Sequence, residues 1–251
     1  MAFSGGIRGF SPSVNLAMFL QKCLGMSQGL DIIQCDPDVP AGVFAEFLAG
    51  WQVPFRIRRP DQGEELAASA GAVIVLGGQM GVHDELRYPF LKVLKGYMKR
   101  MIAEETPLFG ICLGGQLLAD VAGGVVSSKR CGEQGLVDIH LSGAGRCDPL
   151  FAGIVSTFQA FQWHNDSFAV PLRGVHLAAS SACAGQAFRL GRAWGVQFHP
   201  EVDAAIVNSW SGKSPVRERL VGDFLLAEQE HRSLARQILG NFLAIAGFRI
   251  G

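Results

Sequence analysis

The sequence has no excess of charge. Lysine plus arginine and aspartate plus glutamate number 22 each, so neither a nucleic acid nor an anionic membrane surface is the expected partner. It has no apolar run near the ~18 residues of a membrane span. Its six cysteines (Cys23, Cys35, Cys112, Cys131, Cys147 and Cys183) form no Cys-x-x-Cys pair and no cluster with zinc-ligand spacing, so no metal site is expected. The pair Gly77-Gly78 is not followed by Gly-Lys-Ser/Thr, which excludes a phosphate loop. There is no internal repeat. A reduced, cytoplasmic setting is the simplest reading.

What is present is 251 residues, nearly half of them apolar, and 32 glycines. That is enough for one large domain with a substantial core. Apolar strand-like runs alternate with helical spacing in the first half. Asp31–Cys35, Val53–Arg58 and Ala72–Leu76 read as strands, and Ala41–Ala49 and Tyr88–Ala103 as helices. This order predicts an α/β fold with a mainly parallel sheet and helices on both faces. From Val125 to Leu190 short strands and turns take over, including Leu136–Leu141, Gly174–Ser180 and Gln186–Leu190. Asn208–Pro215 reads as a polar turn, followed by helices over Val216–Glu228 and Ser233–Ala246. Residues 1–30 read as an N-terminal extension with a short amphipathic helix over Asn15–Leu24. Its apolar core, Leu16–Leu20, is too short for a secretory signal. One domain is expected over 31–251, ending in C-terminal helices within 208–251.

The stretch Thr106–Gly124, TPLFGICLGGQLLADVAGG, carries the chemistry. A buried strand would run into Gly110-Ile111-Cys112-Leu113-Gly114 and then into a helix. Glycines around a sharp strand–helix turn hold one side chain clear of the backbone. Cys112 stands there, and a helix N-terminus behind it favours the thiolate. The Leu113 N–H points into the same space and could serve an oxyanion. Taken alone, such a cysteine is equally compatible with an inert buried thiol. A second run, Ala193–Val202, reads AWGVQFHPEV and ends a strand at His199-Pro200-Glu201. Cysteine chemistry needs an imidazole and an acceptor that orients it; His199 and Glu201 supply both if this strand lies beside the elbow.

Together these stretches resemble the class I (triad) glutamine amidotransferases. The resemblance rests on Gly110–Gln116 and Gln197–Glu201, with Val75-Leu76-Gly77-Gly78 before them and Phe161–Asp166 between them, in the family's order. It covers roughly Ile32 to Val202 and looks nearest to stand-alone proteins similar to the amidotransferase domain of GMP synthase. It implies a flavodoxin-like fold and a triad of Cys112, His199 and Glu201. The Gly78 and Leu113 N–H groups would form the oxyanion hole. Gly77, Gln116, Gln162, Trp163 and His164 would contact substrate. Many relatives carry proline after the glycine pair, where this chain has Gln79. The resemblance calls for no metal or cofactor. It implies glutamine or another γ-glutamyl small molecule as substrate, and allows for partnership with a separate synthase subunit. Three functions follow: a glutaminase supplying ammonia to such a synthase, a stand-alone hydrolase of γ-glutamyl peptides or glutathione-like conjugates, or a non-catalytic regulatory protein on the same fold.

Overall fold

The computed structural model describes residues 29–212 and 214–250; the expected helix at Asn15–Leu24 lies outside them. Four short strands, β1 (Leu30–Ile33), β2 (Phe55–Arg58), β3 (Ala72–Val75) and β4 (Leu108–Ile111), pair in parallel in the order β2-β1-β3-β4. β1, β3 and β4 are buried along their whole length. β3 and β4 are continuously apolar because helices cover both faces. The basic edge at Arg56–Arg59 is partly neutralised: Arg58 pairs with Asp31 at 3.0 Å and Arg59 with Asp61 at 2.8 Å.

The remaining strands are β5 (Val126–Ser127), β6 (Glu133–Leu141), β7 (Thr157–His164), β8 (Ser167–Phe168), β9 (Val175–Ala179), β10 (Ala187–Leu190) and β11 (Ala193–Val196). Among the described residues the main sheet has nine strands, ordered β2-β1-β3-β4-β11-β10-β9-β6-β7, and β5 pairs with β8 apart from it. β11 joins β4 in parallel, and every pairing beyond it is antiparallel. The parallel half therefore ends on the strand that leads to His199.

The helices are α1 (Gly42–Gly50), α2 (Phe90–Ala103), α3 (Leu113–Val121), α4 (Ala204–Ser211), α5 (Arg217–Leu226) and α6 (Glu228–Ala246). The strand period of two splits the core. Ile32, Ile74, Phe109, Ile111, Trp194 and Val196 meet α1 and α6 on one face. Ile33, Val73, Val75, Leu108 and Ala193 meet α2 and α3 on the other. The aromatic rings of Phe109 and Phe242 lie 5.5 Å apart across the first layer. A smaller cluster joins Phe161 of β7 to Val202, Ile206, Val207 and Phe224.

Two readings of the sequence change here. Asn208–Ser211 is the end of a helix, not the start of a turn. Asp203 caps that helix by accepting from the Ile206 N–H at 2.8 Å, and the helix begins before the polar run does. Phe158–Phe168, expected only as a site segment, is largely the strand β7, paired with β6 over eight residues.

Candidate active site

Cys112 joins β4 to α3 with φ 49° and ψ −106°. A positive φ at a residue with a Cβ is strained, a state that persists only where surrounding packing holds it. The three flanking glycines explain how it is held. A Cβ on Gly110 would collide with the Gly114 carbonyl oxygen, one on Gly114 with the Val75 oxygen, and one on Gly115 with the Val196 oxygen. Glycine thus lets α3 start directly against three strands. The Cys112 N–H donates to Val196 O at 2.8 Å, and its carbonyl accepts the Gln116 N–H at 2.8 Å. Leu113 is the first residue of the helix, where the backbone N–H has no intrahelical partner.

His199 follows β11, beside β4, and is 2% exposed. Its Nδ1 lies 2.8 Å from Glu201 Oε1, and Glu201 is fully buried. Its Nε2 has no hydrogen-bond partner among the described residues. Both His199 and Cys112 crowd Gly77: a Cβ there would sit 3.0 Å from His199 Cε1 and 3.6 Å from Cys112 Cβ. Burial alone would push the imidazole pKa down. The charges on Glu201 and Cys112 outweigh it and raise the pKa to about 10. The arrangement can therefore hold an imidazolium beside the Cys112 sulfur, with the ring fixed through its far nitrogen.

The turn at Gly77-Gly78-Gln79 abuts the elbow. A Cβ on Gly78 would lie 2.9 Å from Leu113 Cδ2. Gln79 has its own use in place of proline: its N–H donates to Asp36 Oδ2 at 3.1 Å, a bond proline could not make. Asp36 Oδ1 in turn accepts the Asp38 N–H at 2.9 Å, so one carboxylate ties two loops at the cavity edge.

A cavity of about 720 Å³ opens over Cys112 and His199. Gly78, Gln116, Trp163 and His164 line it, together with Cys112 and His199. Gly77 lies against the edge of the His199 ring rather than on the cavity wall. Gln162 is fully buried and donates to Gln186 Oε1 at 2.7 Å, so it stands behind the wall. Gln116 Nε2 donates to Asp166 O at 3.0 Å and to Gln197 Oε1 at 3.2 Å. His164 Nδ1 meets Asp166 O at 2.9 Å, and its Nε2 meets Glu133 Oε2 at 3.3 Å.

The model of the family glutamine amidotransferase class-I matches residues 49–208 of the chain. The chain belongs to that family. This amidotransferase is 36% identical over 133 residues to a subunit of the glutamine-hydrolyzing GMP synthase of Saccharolobus solfataricus, covering 52% of this chain and 66% of that one. It is 32% identical over 146 residues to the protein of the same name from Sulfolobus acidocaldarius, covering 57% and 73%. Among solved structures, a glutamine amidotransferase from Thermotoga maritima superposes with a TM-score of 0.80 at 27% identity, covering 86% of this chain and 98% of that one. Another, from Methylobacillus flagellatus, gives 0.79 at 26%, covering 90% and 97%. Among the described residues, no helix of this amidotransferase is long and apolar enough to cross a membrane.

Three residues around this cavity carried no assigned role in the sequence. Gln197 points its Nε2 at Cys112 Sγ, 3.5 Å away, and bridges it to Gln116. The run Gln197–Glu201 contains it, but nothing in that run marks its direction. Trp210, from α4, sets its ring 4.9 Å from that of His199 and donates to Asp38 O at 2.6 Å. Glu133 anchors a buried polar group: it accepts from Ser180 Oγ at 2.6 Å, contacts His164 and takes a short bond from Gln186. Trp210 was hidden in a polar segment, and Glu133 lay just ahead of the expected strand.

Proposed function

We propose that this amidotransferase hydrolyses the γ-amide of glutamine through a thioester on Cys112 and hands ammonia to a separate synthase. The observation that carries the reading is the His199 ring. Its Nδ1 is bound to Glu201, its Nε2 is unpartnered, and Cys112 is close enough for its charge to raise the ring's pKa. His199 takes the Cys112 thiol proton as the sulfur attacks the γ-carbonyl carbon. The developing oxyanion is met by the Leu113 and Gly78 N–H groups, each worth about 3 kcal/mol of barrier by comparison with similar donors. The His199 imidazolium protonates the departing nitrogen, and the C–N bond breaks to release ammonia. Neutral His199 then takes a proton from water, which attacks the thioester and frees glutamate and the thiol. Glu201 holds the ring in the required tautomer throughout. Gln116, Trp163 and His164 contact the glutamyl end, with Gly77 leaving room for His199 and Gln162 bracing the wall. The synthase partner is supported by the relatives, each named as one subunit of a glutamine-hydrolyzing GMP synthase. A thiol nucleophile suits a reducing compartment, which favours the cytoplasm.

A second reading has its own support. The cavity's 720 Å³ falls in the range of about 300–1,000 Å³ typical of pockets for drug-sized ligands. Such a volume favours γ-glutamyl peptides or conjugates whose leaving group is larger than ammonia. The test measures glutamate release from glutamine and from γ-glutamyl peptides, for the native protein and Cys112→Ala. Release from glutamine, lost in the variant, is the expected result. Release from peptides alone selects the second reading. Silence on both, with no labelling of Cys112 by a thiol-directed glutamine analogue, overturns the two together.

A further inference from the structure

The fold brings together two cysteines that the sequence keeps 52 residues apart. The sulfurs of Cys131 and Cys183 lie 2.9 Å from one another, less than about 1 Å beyond the ~2.05 Å of a formed S–S bond. Neither is in a disulfide among the described residues. Cys131 is half-buried, two residues before β6, whereas Cys183 is 1% exposed in the turn between β9 and β10. Both flank the polar group behind the cavity. Cys131 immediately precedes Gly132, Glu133 and Gln134, all of which line the cavity. Its sulfur also meets Ser167 Oγ at 2.9 Å. The Cys183 N–H donates to Ser180 Oγ at 3.0 Å, and that hydroxyl donates to Glu133.

We propose that Cys131 and Cys183 are a modification site on the cavity wall that closes to an intrachain disulfide by exchange with a low-molecular-weight disulfide. The partly exposed Cys131 reacts first. Its thiolate attacks one sulfur of the small disulfide, a mixed disulfide forms, and one small thiolate leaves. Cys183 then attacks the Cys131 sulfur and expels the second small thiolate. Two protein thiols are oxidised, one small disulfide is reduced to two thiols, and the two thiol protons pass to the departing thiolates. Burial and the neighbouring Cys131 push the Cys183 thiol up to about 12, so the second step is the slow one. The nearness of the two sulfurs is what lets it finish.

The closed form ties the Gly132–Gln134 wall to the Ser180–Cys183 turn and takes Cys131 away from Ser167. Ser167 adjoins Asp166, whose carbonyl holds both Gln116 and His164. The modification therefore loads the wall that faces the glutamyl end and leaves Cys112, His199 and Glu201 in place.

The experiment uses full-length Cys112→Ala, so that the reactive elbow thiol takes no part. The protein is incubated with oxidised glutathione as probe, alkylated under denaturing conditions and mapped by peptide mass. The expected result is the loss of the Cys131 and Cys183 thiols in a linked peptide pair containing both, and their recovery with dithiothreitol, a mixed disulfide at the exposed Cys147 mapping to a separate peptide. Adding Cys131→Ser abolishes the linked pair and leaves Cys183 alkylatable. Two thiols that stay alkylatable overturn the proposal, and so does a Cys131 that stops at the mixed disulfide. The readout counts thiols, so it stands whether or not the proposed hydrolysis does.

Discussion

Two histidines lie back to back at the end of β11, and burial treats them alike. His199 and His231 are each 2% exposed. His199 faces Cys112 and is held by Glu201. His231, from α6, packs against the backbone of His199 and Pro200 and edge-to-face on Phe224, with ring centroids 5.0 Å apart. Neither of its ring nitrogens has a hydrogen-bond partner among the described residues. Burial and the neighbouring charge of His199 push its pKa down to about 4, while Glu201 and Cys112 carry that of His199 up to about 10. The same ring at the same depth is pushed toward its charged form on one side of the backbone and toward its neutral form on the other. The difference lies in the charge partner.

Removing His199 should break the comparison most severely. His199→Leu is expected to lower kcat by about 10²–10⁴-fold. It should also cost about 3–5 kcal/mol in a denaturant titration, because Glu201 is left as an unpaired buried carboxylate. Glu201→Gln keeps the shape and removes the charge. It should cost up to about 10⁴ in kcat, and an NMR titration should find the His199 pKa below about 10. An unchanged titration would show that Glu201 is not the group that raises it.

His231→Leu sharpens the contrast from the other side. It removes two unpartnered polar atoms, so stability should rise by about 1–3 kcal/mol, with glutamate release little changed. The sign for pH follows from the depressed pKa of the native residue. Its neutral form is fully accommodated above about 6.5, and stability is lost as pH falls through about 4. His231→Leu should flatten that acid limb in a series of unfolding curves. The contribution from His199 runs the opposite way, present below about 6.5 and lost as pH rises through about 10. The smallest effect belongs to Trp210→Ala, which removes the ring beside His199. An edge-on aromatic contact is worth about 0.5–1.5 kcal/mol, so steady-state kinetics should record a several-fold fall in kcat/KM.

The parallel half of the sheet was legible because burial on both faces demands unbroken apolar runs. Ala72–Val75 and Leu108–Ile111 have no other use for such sequences. Cys112 was legible from its glycines, whose contacts with three strands leave no room for a side chain. The antiparallel half was less so. In β7 the apolar–polar alternation is broken at Phe161-Gln162, where Gln162 takes a buried position and its amide nitrogen donates to Gln186. His231 lies in the polar start of α6, ahead of the helix expected from Ser233, and its burial comes from tertiary packing against Phe224. Cys131 and Cys183 meet through turns whose register no local pattern specifies.

The bond from the Cys112 N–H to Val196 O lies between two central strands of the sheet. Its amide can exchange with solvent only when β4 and β11 part, which amounts to unfolding the molecule. The lip carrying Trp210 and Asp38 belongs to a surface helix and loop and opens more cheaply. On warming, the protein should therefore loosen its hold on substrate while the strained turn at Cys112 stays wound. That turn should then be among the last elements to be lost.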